Sequence, residues 1–244
     1  MILNPQQRKQ ISSQIDAYEK KVGVGNVKVP FLDSSFDLII DEYVANPLIM
    51  NSGFEMVNYL ASRAEIIKGK TVIDIGTGSG IVGIAAALLG AKNVIMSDIE
   101  DRAVTNAQKN VDRLRLGKVC KVFKSDLFEK YKDSDQADIQ IFNHPYFPDK
   151  PVEGKEWTNM MLGGTDLFAR YLKEAPHFST SDALYIFPWL VTANNENTLD
   201  NDPSKSGPEF GYKIVRSIDW EPVRKGLQQA PFRFYELKYK TQSD

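Results

Sequence analysis

The chain has 244 residues, with 30 Lys and Arg against 32 Asp and Glu for a formal net charge of -2. That length suits one full α/β domain with a real core, and the near balance of charge asks for neither a polyanion nor an anionic membrane as partner. One cysteine, Cys120, excludes an intramolecular disulfide, and two histidines leave no Cys/His cluster, so we expect no metal and a reducing, cytoplasmic home.

The first residues, MILNPQQRKQ, contain no apolar leader core, and the most apolar run, GIVGIAAALLG, is too short and too glycine-flanked for a membrane span. Ile11, Ile15, Tyr18 and Val22 recur at helical spacing, which predicts a short helix with one apolar stripe. VKVPFLDSSFDLIID places two β-leaning runs around Asp33-Ser34-Ser35, a turn-forming cluster, and predicts a hairpin. Helical spacing returns over Phe54 to Ile67.

From Thr71 the rhythm is strand, glycine turn, helix, repeated: TVIDIG, SGIVGIAAALLG, KNVIMSD, EDRAVTNAQKNVDRLRL, KVCKVFKSD. Such alternation specifies βαβ units and a parallel sheet. ADIQIFNHPYF adds a fourth strand and ALYIFPW a fifth, with GTDLFARYLKEAPHF as the helix between them. GYKIVRSIDW and FRFYELKYK predict a closing antiparallel pair. Two stretches remain unassigned, PDKPVEGKEWTNMMLGG and TANNENTLDNDPSKSGPEF, and loops of that length are functional or disordered as a rule.

VIDIGTGSGIVG follows a strand and opens a helix, where glycines allow a ligand close to the backbone and the helix start offers free N–H groups. Gly76-Thr77-Gly78-Ser79-Gly80 reads as GxGxG, while Gly78 to Gly83 satisfies the dinucleotide pattern GxGxxG, so a nicotinamide cofactor stands as a rival. Asp74, two residues before the first glycine, would repel a pyrophosphate and suits a ligand with an ammonium group, which favours S-adenosylmethionine. Asp98 ends the next strand about 20 residues on, where a carboxylate accepts from ribose hydroxyls; its bland alternative is a helix cap. Ile99 offers an apolar face to an adenine, and Ser125-Asp126-Leu127 ends the third strand, where Asp126 is placed to accept from the adenine amino group. Three acids at three strand ends make one pocket.

On these residues, Val72 to Trp189 resembles the core of class I S-adenosylmethionine-dependent methyltransferases, a doubly wound, Rossmann-like α/β fold. Asn143-His144-Pro145-Tyr146 resembles the Asn-Pro-Pro-Tyr motif of amino-methyltransferases, and GGTDLFARYL the segment that follows it in protein-glutamine N5-methyltransferases acting on release factors. FLDSSFDLII is loosely similar to theirs as well.

The resemblance implies a seven-stranded, mostly parallel sheet with a C-terminal antiparallel hairpin, preceded by a short helix and β-hairpin. It implies a single methyltransferase domain, 1–244, with residues 1–53 as an extension and 54–244 as catalytic core. It places Asp74, Gly76, Thr77, Gly78, Gly80, Asp98, Ile99, Ser125, Asp126, Leu127 and Asn143 at the cofactor, and Asn143, Pro145 and Tyr146 at the chemistry. Asn143 Oδ1 and the carbonyl of residue 144 would each accept one N–H of a planar amino group, Pro145 would lock φ, and Tyr146 would offer a flat ring to stack on.

His144 departs from the motif's first proline; it is a tolerated substitution that keeps the carbonyl, or a base near neutral pKa. The acceptor implied is a protein Gln amide. The alternatives are an exocyclic base amine in RNA or DNA, and a non-catalytic, cofactor-binding partner subunit. His177 reads as a helix-end residue, Cys120 as core, and Trp157, Met160 and Met161 as core or as a substrate groove. The basic residues from Arg102 to Lys124 read as a solvated face.

Overall fold

The computed structural model describes residues 5–191, 202–223 and 231–240. Helix α1 covers Pro5–Glu19, and the hairpin follows as β1, Gly25–Phe31, and β2, Ser34–Ile40. Its turn is the pair Leu32-Asp33, one residue earlier than expected, with Leu32 at φ 52° taking the left-handed conformation. Ser34 and Ser35 are already paired strand. Val22 lies beyond the end of α1 and is exposed, so it leaves the expected stripe.

Helices α2, Ser52–Ser62, and α3, Ala64–Ile67, break the expected single helix at Arg63. Then β3, Thr71–Ile75, α4, Ile81–Leu88, β4, Asn93–Asp98, α5, Asp101–Arg113, and β5, Cys120–Lys124, complete the alternation expected from the sequence. Next come β6, Ala137–Phe142, a 3-10 turn at Glu156–Met160, α6, Gly164–Glu174, and β7, Ser179–Leu190. Helix α7, Pro203–Glu209, lies in a stretch left unassigned above; residues 192–201 of that stretch are outside the described residues. β8, Tyr212–Trp220, and β9, Phe232–Tyr239, form the closing antiparallel pair.

The seven strands run β5-β4-β3-β6-β7-β9-β8. β3 pairs in parallel with β4 on one side and β6 on the other, so strand order reverses between β3 and β6. The crevice beyond the carboxyl ends at such a reversal is where doubly wound sheets bind ligands. The strands beside it are nearly continuous apolar runs, as a sheet covered on both faces requires. α4, with the sequence IVGIAAAL, is small enough in side chain to lie close on the sheet, and seven of its residues, Ile81 through Ala87, are buried.

The N-terminal hairpin is tied to this frame by amides. Asn110 on α5 accepts from Ile39 N at 2.7 Å and donates to Ile39 O at 2.9 Å and to Ser79 O at 2.8 Å. Asn106 donates to the same Ile39 carbonyl at 2.9 Å. One buried side chain thus joins β2 to the glycine turn, and the extension stands beside the crevice.

Candidate active site

A cavity of about 320 Å³ opens at the switch point, within the range of small-molecule sites. The turn after β3 forms its floor. Gly76 and Gly78 adopt φ 64° and 56°, conformations that L side chains rarely take, and a Cβ at Gly78 would stand 2.9 Å from Ala45. Asp74 is 1% exposed; its Oδ2 accepts from Thr77 Oγ1 at 2.6 Å and from Gly83 N at 2.9 Å. The carboxylate therefore shapes the turn while still lining the cavity. Burial pushes its pKa up to about 7, against the hydrogen bonds, which pull it down.

Asp98 receives Gly78 N at 2.9 Å on Oδ2 and Glu100 N at 3.0 Å on Oδ1. The first bond ties the end of β4 to the glycine turn. The residue at the cap position of α5 is Glu100, so Asp98 itself is a turn acid and not the helix cap. Burial raises its pKa too. Each oxygen keeps a lone pair for hydroxyl donors.

Ile99 beside it is 48% exposed and lines the cavity, an apolar surface left open where a flat ring would need one. Ser125, Asp126 and Leu127 line the far wall. Ser125 Oγ accepts from Lys130 N at 3.1 Å, and Leu127 holds φ 46°. Asp126 pairs with Arg170 on α6 at 3.2 Å.

Eleven of the thirteen expected positions thus line one cavity, with two departures. Gly80, the start of α4 at φ 86°, does not line the cavity; a Cβ there would meet Met96 Cε at 3.1 Å and Ala107 at 3.3 Å. Gly83 has the same neighbour, with Met96 Sδ 2.8 Å from its hypothetical Cβ. The glycines of the dinucleotide register beyond Gly78 therefore serve helix-to-sheet packing.

Tyr146 is the second departure. It is 4% exposed, meets Trp189 edge-on at 5.7 Å, and donates its hydroxyl to Asn143 Oδ1 at 3.0 Å. Its ring is buried rather than presented to the main cavity.

Asn143 itself ends β6 on the cavity wall, with Nδ2 donating to Ser52 Oγ at 3.1 Å. Pro145 lines the same wall. His144 is 1% exposed, its ring stacked on Phe168 at 4.2 Å and parallel to Trp189 at 5.9 Å. It does not line the main cavity. The ring is a plank in an aromatic layer.

The roof was missed from sequence. Tyr43 to Asn46, Pro47, Met50, Ser52 and Gly53 line the cavity from the segment joining β2 to α2. Its conformation is set by tertiary bonds: Asn46 N donates to Tyr18 OH at 2.9 Å and Asn46 Nδ2 to Val22 O at 2.9 Å. Opposite, Asn159 and Met160 reach over from the unassigned loop, where Asn159 Nδ2 donates to Glu100 Oε1 at 2.8 Å. Trp157 instead packs between Tyr18 and Tyr43, each 5.2 Å away.

The set fits S-adenosylmethionine: a hydroxyl-accepting acid, an open apolar face, a tight glycine turn and a buried carboxylate suited to an ammonium. Among the described residues no group of three His, Cys, Asp or Glu could hold a metal ion, and no helix is long and apolar enough to cross a membrane.

The family model for ribosomal protein L11 methyltransferase (PrmA) matches residues 57–143. A ribosomal protein L11 methyltransferase of Anoxybacillus flavithermus is 43% identical over 83 residues, 34% of this chain and 26% of that protein. A Methanocaldococcus jannaschii protein whose description proposes N5-glutamine methyltransferase activity is 35% identical over 118 residues, 46% of this chain and 57% of that one. The release factor glutamine methyltransferase of Borreliella burgdorferi is 28% identical over 207 residues, covering 78% and 69%. The chain therefore spans only about a quarter to two thirds of the length of these curated relatives.

Among solved structures, the Thermus thermophilus 16S rRNA N2 G1207 methyltransferase in complex with AdoMet and guanosine superposes with a TM-score of 0.57. It has 16% identity and covers 86% of this chain and 50% of that one. The sheet order, the switch-point cavity and these likenesses agree: the chain has the class I S-adenosylmethionine-dependent methyltransferase fold, with release factor glutamine methyltransferase among its homologues.

Proposed function

We propose that the chain is an S-adenosylmethionine-dependent N-methyltransferase acting on a planar amino group, the side-chain amide of a protein glutamine. One observation carries the reading: Asn143, at the end of β6, stands in the cavity wall with its amide fixed at both ends, by Ser52 and by Tyr146. The relatives named for glutamine methylation add to it.

A carboxamide nitrogen is a poor nucleophile because its lone pair is delocalised. The cofactor supplies an electrophilic methyl group on a sulfonium. The chain's part is to orient the acceptor. Asn143 Oδ1 takes one bond from Tyr146 and keeps a second lone pair for an acceptor N–H. The carbonyl of His144 accepts the other N–H, so the acceptor nitrogen is held in one plane and its developing positive charge meets two oxygens.

Pro145 fixes the backbone direction by locking φ. Asp98, Ile99 and Asp126 hold the nucleoside, and Asp74 and the Gly76–Gly78 turn hold the amino-acid end. No side-chain base is required, since the proton is acidic once the nitrogen is alkylated and leaves to water. Residues 54–244 are then the catalytic core and 1–53 an extension that roofs it.

The test is transfer of labelled methyl groups to cell extract, followed by mass spectrometry of the product. We expect label that survives nuclease and maps to a glutamine. Label lost on nuclease treatment replaces the acceptor with an exocyclic base amine, and failure to bind S-adenosylmethionine at millimolar concentration leaves a non-catalytic subunit.

A further inference from the structure

A second, much smaller cavity of about 10 Å³ lies on the α1 side of Asn143. Met50, Ser52, Asn143 and Met160 line both cavities, so these side chains are the wall between them. Facing that wall from α1 is Gln14.

Gln14 is 1% exposed, and neither its Oε1 nor its Nε2 has a hydrogen-bond partner among the described residues. A buried amide left unpaired forfeits the hydrogen bonds that water would give it. A core position would be apolar instead. The buried face of α1 among the described residues is Gln7, Ile11, Gln14, Ala17 and Tyr18, two of the five being amides.

The turn that follows Gln14 is anchored. At the C-terminal end of the helix Tyr18 OH accepts Asn46 N at 2.9 Å, the Tyr18 ring packs on Trp157 at 5.2 Å, Val22 O accepts Asn46 Nδ2 at 2.9 Å, and Glu19 pairs with Lys155. At Gln14 the helix presents an unsatisfied carboxamide to the residues that orient carboxamides.

We propose that the cleft between α1 and the Asn143–Tyr146 strand end is a carboxamide subsite, and that Gln14 is its resident occupant. An incoming acceptor amide takes its place as α1 swings about the Tyr18 anchor. The inference rests on the glutamine reading of the active site and extends it: the chain carries its own copy of the acceptor group at the entrance.

Displacement is cheap at this point because the residue that leaves exchanges an unpaired burial for water. The helix stays attached because Tyr18 and Val22 keep their bonds. No group is transferred in this step.

Hydrogen–deuterium exchange of the whole chain tests it, with N-acetyl-glutamine amide and N-acetyl-leucine amide as probes. The expected result is several-fold faster exchange in residues 5–17 with the glutamine probe alone, while 18–22 stay protected. Unchanged or slower exchange, or an equal response to the leucine probe, overturns the proposal. Because this measurement needs no methyl transfer, faster exchange without transfer would strike the functional reading and leave the subsite standing.

A second arm uses Gln14→Ala. We expect the acceptor KM to fall about three- to tenfold, with kcat and cofactor affinity unchanged, because the competitor is gone. A raised or unchanged KM overturns the proposal. A merely structural glutamine would move thermal stability and leave the KM-to-kcat split alone.

Discussion

The two walls of the cavity are built in different ways. On the cofactor side, backbone amides supply three of the four bonds to the two carboxylates: Gly83 N to Asp74, and Gly78 N and Glu100 N to Asp98, with Thr77 Oγ1 adding one side-chain bond to Asp74. On the acceptor side, side chain holds side chain: Tyr146 to Asn143, Asn143 to Ser52, Asn159 to Glu100. A wall fixed by its own backbone depends on few residue identities and suits a ligand common to many enzymes. A wall fixed by pairs of side chains can be rebuilt one pair at a time, which suits an acceptor that differs from enzyme to enzyme.

The sharpest way to separate the walls is Asn143→Ala. It removes the oriented acceptor oxygen, and we expect kcat to drop about 10²- to 10³-fold while cofactor affinity moves less than about threefold. Calorimetry alongside single-turnover transfer measures both; equal losses in the two would break the distinction.

The converse variant is Asp98→Ala. One charge-assisted bond is worth about 1.5–3 kcal/mol, so cofactor binding should weaken about 10- to 150-fold. Saturating cofactor should restore turnover, which a full titration would reveal.

Asp74 gives the cofactor wall a pH signature. Its pKa of about 7 in the free chain means that the carboxyl is protonated below neutrality, and only the anion attracts an ammonium. Cofactor affinity should rise about tenfold per pH unit up to about 7 and then level off, and Asp74→Asn should flatten the profile. The ligand-free chain should behave oppositely. With the folded pKa raised, the folded state holds more protons than the unfolded one between about 4 and 7. This group's stabilising contribution is present at low pH and is lost as pH rises through about 7, which thermal melts across that range would register.

The smallest effect belongs to Tyr146→Phe. Removing one neutral hydrogen bond to Asn143 costs about 1 kcal/mol, so kcat should fall about fivefold with cofactor affinity intact. A loss as large as that of Asn143→Ala would give Tyr146 a direct contact with the acceptor.

What the sequence made legible follows the same division. Continuous apolar strand runs alternating with helical patterns over Thr71–Lys124 specify elements whose burial is decided locally, and the acids at the ends of β3, β4 and β5 follow from strand position. The roof did not show, because Asn46 and Ser52 are held by bonds to Tyr18, Val22 and Asn143, and Tyr43 by packing on Trp157, all residues distant in sequence. Tyr146 looks like a platform in the linear motif, while in the fold its ring packs against His144 and against Trp189 on β7. Helix α7 had a readable start: Asp202 accepts Ser204 N ahead of Pro203 at the first helical position. The hairpin turn slipped because nothing in the composition marks Leu32 for a left-handed conformation.

Gly83 does not line the cavity, yet Met96 Sδ stands 2.8 Å from where its Cβ would be. Met96 stands two residues before Asp98 on the same strand, and Asp74 accepts from the amide of Gly83 itself. A single added carbon at position 83 would push α4 and β4 apart and loosen both carboxylates at once. Tolerance to mutation at this site is therefore set by spacing inside the sheet-and-helix sandwich. A glycine remote from any bound molecule should prove as hard to replace as one in contact with it.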